Sequence, residues 1–99
     1  MLSRIQDLPR FKGDCERFQL GVAGQVGELR IEGQRLFEDL KSAVYTFDES
    51  VAMGFRGAAK NSHFDHVQSQ QHLAKCKEAM EQWMLRHAPN VHVDYTKYE

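Results

Sequence analysis

The residues best equipped for chemistry lie in one short stretch, KNSHFDHVQSQQHLAKC, from position 60 to 76. It contains His63, His66 and His72 together with Asp65 and Cys76. Such side chains bind transition metals, or move protons near neutral pH. His72 and Cys76 are four apart, which places both on one face of a helix, as in two-ligand helical metal pairs. A zinc site or an acid–base site would therefore draw on His66, His72 and Cys76.

Coordination chemistry weighs against the metal. A structural zinc site takes four protein ligands and a catalytic one three plus water, so Cys15, His87 or His92 would have to join by folding. On a straight helix His66 and His72 stand roughly 9 Å apart along the axis, too far to share one ion easily. Ser62 and Asp65 also have the form of a capping box, which accounts for Asp65 without a metal. That box sets His63 and His66 in a first helical turn, the positive end of the dipole.

A plainer reading absorbs more residues. At about 100° per residue, Leu73, Cys76, Met80, Trp83, Met84 and His87 share one helix face, with His72 at its edge. Cys76 then acts as a small core hydrophobe. This is the preferred reading, and it needs no cofactor; zinc is the alternative.

Other candidate motifs are weaker. GVAGQVGEL lacks both the G-x-G-x-x-G pattern and a Gly-Lys-Ser/Thr ending, so its glycines suit a turn better than a phosphate. Arg56 and His63, with six residues between them, resemble the Arg–His pair of the small helical ribonucleases of the HEPN type, but chance supplies about one such pair in a chain with seven Arg and five His. No catalytic triad can be read from one sequence, because its members meet only in three dimensions. Glu38, Asp39, Asp48 and Glu49 read as solvated charges near helix ends and turns.

The 99 residues make a single small domain, 1–99. Residues 1–14 are expected as a mobile N-terminal arm, since Pro9 interrupts them. In RFQLGVAGQVGELRIEG, a helix would enclose Gly21, Gly24, Gly27 and Gly33, at about 4 kcal/mol in total. Phe18, Leu20 and Val22 alternate, as do Leu29 and Ile31, which favours a β-hairpin with strands near 17–23 and 28–33. Leu36, Phe37, Leu40, Ala43, Val44 and Phe47 then follow a helical period. A second hairpin over 43–56 is the competing reading, with its turn at Asp48–Ser50. MGFRGAAKN reads as a loop. A long helix follows to about Ala88, stopped by Pro89, with Arg86 and His87 suiting its C-terminal end. NVHVDY alternates and predicts a final strand.

The expected fold class is α+β: an N-terminal antiparallel hairpin, a medium helix, a long C-terminal helix and a short terminal strand. An all-α helical bundle is the alternative. Such a helix of about 26 residues would be roughly 39 Å long, more than a domain this size readily covers. Its uncovered stripe would then serve association with a second copy or another protein, through Met80, Trp83, Met84 and His87.

Thirteen basic against fourteen acidic residues leave a net charge of −1, which disfavours nucleic acid. That reading would need Arg4, Arg10, Lys12 and Arg17 to converge. No apolar run approaches a membrane span, and the first twelve residues do not resemble a secretion signal. Two cysteines make no disulfide framework, so a cytoplasmic setting with free thiols is expected.

Overall fold

The computed structural model describes residues 4–55 and 66–99, and these contain no strand. They form an all-α bundle: α1 is Pro9–Ala23, α2 is Gly27–Phe55 and α3 is His66–His87. Short 3-10 turns at Ile5–Asp7 and Tyr95–Tyr98 flank the helices. The α+β expectation is thereby corrected to its all-α alternative.

The hairpin fails for a reason that lies in its glycines. Gly24 caps the end of α1, and Gly27 opens α2 with φ at +62°, so neither burdens a helix interior. Gly27 is also the only described residue with positive φ, a geometry that glycine adopts without a Cβ clash. Gly21 and Gly33 are interior, but each marks a close helix–helix approach. A Cβ on Gly21 would lie 2.6 Å from Met84 Sδ, and one on Gly33 would lie 2.6 Å from Trp83 Cζ2. Packing gained at those points offsets the propensity lost.

The alternation of Phe18, Leu20 and Val22 did not report burial either. Phe18 and Val22, four apart, are buried, while Leu20 is exposed. Ile31, an alternating apolar residue of the expected second strand, is also exposed. Residues 43–55 belong to α2 and form no second hairpin. The start of the loop MGFRGAAKN, up to Phe55, is helical, and its remainder lies outside the described residues. Pro9, read as an interruption, sits in the first turn of α1, where its missing N–H costs nothing. The final strand is replaced by a capped turn. Asp94 accepts from the Thr96 N–H at 3.0 Å and from the Thr96 hydroxyl, which closes Tyr95–Tyr98 into a 3-10 turn.

α2 and α3 form the principal pair, and α1 lies against both. The molecule measures 45 × 30 × 15 Å, and the 29 residues of α2, about 43 Å of helix, set its long axis. The core joins Phe18 and Val22 from α1, Phe37, Leu40 and Val44 from α2, and Leu73, Met80, Trp83 and Met84 from α3. Phe18 meets Phe37 edge to face, with ring centres 6.4 Å apart. None of the described helices is long and apolar enough to cross a membrane.

Candidate functional site

The expected interface stripe faces inward. Met80, Trp83 and Met84 are 0%, 3% and 1% exposed within the single chain. Small residues make this possible: Gly21 and Gly33 let α1 and α2 approach α3 at Met84 and Trp83. His87 is half-buried, its ring 5.3 Å from that of Trp83. Gln25 Nε2 donates to the His87 carbonyl at 2.9 Å, tying the α1–α2 connection to the end of α3. Three of the four stripe residues thus have almost no surface to offer a partner. Trp83 Nε1 is buried and has no hydrogen-bond acceptor among the described residues.

The histidine stretch is only partly described. The Ser62–Asp65 box, His63 and the Arg56–His63 pair lie outside the described residues, as does the side chain of His66, the first residue of α3. His72 and Cys76 do meet: His72 Nε2 is 3.7 Å from Cys76 Sγ. Cys76 packs partly against the core. Burial pushes its thiol up, with a smaller contribution from Asp39. Burial pushes the Cys15 thiol up to about 11, helped by Asp14. Both thiols are free and favour the protonated form, which is the poorer metal ligand. Among the described residues, no three His, Cys, Asp or Glu side chains converge as a metal site would require.

The basic N-terminal residues divide. Arg4 pairs with Glu49 at 3.6 Å and Arg17 with Glu81 at 2.5 Å. Arg10 and Lys12 are exposed.

Asp48 plays a part that the sequence did not reveal. It is buried and accepts from the Ile5 N–H at 3.0 Å, the Gln6 N–H at 3.2 Å and Gln6 Nε2 at 3.1 Å. One carboxylate on α2 therefore holds the 3-10 turn Ile5–Asp7 against the bundle. No local pattern signals this, because the partners are 42 and 43 residues away.

The C-terminal tail docks along α1 in a similar way. The Tyr95 ring lies over Gly13, and its hydroxyl donates to Asp14 Oδ1 at 2.5 Å. Lys97 pairs with Glu16, and the Tyr98 hydroxyl donates to Glu16 Oε2 at 2.7 Å. The Lys97 and Tyr98 hydrogen bonds hold the Glu16 carboxyl below its usual range.

Two further surfaces stand out. One is a cavity of about 250 Å³, lined by residues of the first turn and all three helices. The other is the outer face of α2, where Ile31 is 62% exposed. A shallow open depression there is lined by Arg30, Ile31, Gln34 and Arg35. Comparison with protein families, with curated proteins and with solved structures finds no match to this chain.

Proposed function

We propose that the protein is a non-enzymatic association module that pairs with a second copy of itself, and that the contact is the outer face of α2. The C-terminal helix is a poor candidate for that contact, because its apolar stripe already packs inside the chain. The observation that carries the reading is the composition of the α2 face. Glu28, Ile31 and Arg35 are spaced i, i+3, i+7 and so form one stripe. All three are exposed, and Glu28 and Arg35 have no ion pair among the described residues.

A stripe reading acid, apolar, base is self-complementary when two copies run antiparallel about a two-fold axis. With the axis between positions 31 and 32, Glu28 falls opposite Arg35 of the partner subunit, and the symmetry repeats the pair. The apolar centre gains burial while each charge gains an opposite neighbour. The free thiols of Cys15 and Cys76 suit a cytoplasmic setting for this module.

A charge swap tests the geometry. Arg35→Glu places like charges opposite each other twice and should weaken the dimer about 10-fold, given the modest worth of exposed pairs. Adding Glu28→Arg should restore it. If the double variant is as weak as the single one, the antiparallel pairing is wrong.

A further inference from the structure

The cavity has a composition that points to a ligand. Its apolar lining is Phe11 and Phe18 from α1 and Leu40 and Val44 from α2, with Ile5 and Leu8 from the chain start. Four charged side chains line it as well: Arg10, Asp14, Lys77 and Glu81. The two acidic ones are engaged. Asp14 accepts from the Tyr95 hydroxyl, and Glu81 pairs with Arg17. The two basic ones are exposed and have no hydrogen-bond or ion-pair partner among the described residues.

We propose that this cavity binds a small amphipathic carboxylate. Its apolar body, a single aromatic ring or a medium-length acyl chain, lies against Phe18, Leu40 and Val44. Its carboxylate is taken by Arg10 and Lys77.

Size and sign both support the class. A cavity of about 150 Å³ lined by apolar side chains holds benzene, so the 250 Å³ here has room for one ring with a substituent or an acyl chain of medium length. Arg17 offsets Glu81, which leaves Arg10, Lys77 and Asp14 as the uncompensated charges, one positive in excess. A carboxylate gains charge-assisted hydrogen bonds from Arg10 and Lys77, whereas a cation would meet two like charges. The apolar lining distinguishes the ligand from a bare anion, since burying hydrocarbon there supplies affinity that phosphate or sulfate could not gain. None of Glu28, Ile31 and Arg35 lines the cavity, so this site and the self-association reading stand or fall separately.

The test is titration of the intact chain at low salt, by calorimetry and by amide chemical shifts, with octanoate, benzoate and their uncharged alcohols, octanol and benzyl alcohol. At least one acid should bind, about 10-fold or more tighter than its alcohol, with shifts centred on Phe11, Phe18, Leu40 and Val44. The variant carrying Arg10→Gln and Lys77→Gln should keep its helical spectrum and melting temperature, because both positions are exposed, yet lose the preference for acid over alcohol. Octylammonium should bind more weakly than octanoate. The proposal is overturned if neither acid binds at millimolar concentration. It is equally overturned if the alcohols or octylammonium bind as tightly, or if the double variant keeps the preference.

Discussion

Gly33→Ala probes the closest approach in the bundle. In an ordinary helix interior this change would stabilise by about 1 kcal/mol, because alanine forms helix more readily. At Gly33 the added Cβ would lie 2.6 and 2.8 Å from two ring carbons of Trp83 and 2.9 Å from Val22 Cγ2. Both neighbours are buried, Trp83 at 3% exposure and Val22 at 4%, so the strain is not relieved by a side chain swinging into water. Overpacking of this kind costs about 1–3 kcal/mol, which exceeds the propensity gain across most of that range. The net expectation is a loss of about 1 kcal/mol, or about 4–8 °C in melting temperature for a domain of this size. Gly24→Ala is the control. A Cβ there meets only backbone oxygens at 3.6 and 3.7 Å, at an ordinary negative φ of −78°, so that variant should be neutral or slightly more stable. Thermal and urea unfolding, followed by circular dichroism and by Trp83 fluorescence, give the comparison. If Gly33→Ala gains stability as Gly24→Ala does, the wedge of α2 against Trp83 is not as described.

Other outcomes follow from the same contacts. Asp48→Ala leaves the Ile5 and Gln6 amides without their acceptor, and should cost about 1–3 kcal/mol and expose the chain start to limited proteolysis. Glu16 and Asp94 are held below their usual range by Lys97 with Tyr98 and by Thr96 respectively. Their contribution is therefore complete at neutral pH and is lost in acid, as the pH falls below the ordinary carboxylate range and through the depressed values, so tail resonances should shift toward their unfolded positions before the core melts. Cys15, its thiol raised to about 11 by burial, should alkylate at pH 8 roughly two orders of magnitude more slowly than free cysteine, as mass spectrometry can follow.

Much of the helical content was legible where period and caps agreed. The run from Leu36 to Phe47 and the stripe from Leu73 to His87 both show their buried faces in the sequence, and Pro89 marks where α3 stops. The N-terminal third was not legible, and its glycines explain why. Counted singly, Gly21 and Gly33 look like defects in a helix. Their value appears only when Met84 and Trp83, far along the chain in α3, are brought against them. The functional surfaces divide in the same way. The inward stripe could be read, but whether α1 and α2 would cover it depended on those distant approaches. Asp48 gave no signal as a solvated-looking charge beside Glu49, since its partners are at the far end of the chain. The cavity gathers residues from four separate segments, so no spacing rule could have announced it.

The central functional claim is association through α2, and the solution mass of the unaltered chain addresses it most directly. Sedimentation equilibrium from micromolar to hundreds of micromolar should show a mass rising from about 11.5 kDa toward twice that value, with Ile31→Asp holding it at the lower one. A mass fixed at that of one chain across the whole range would contradict the account.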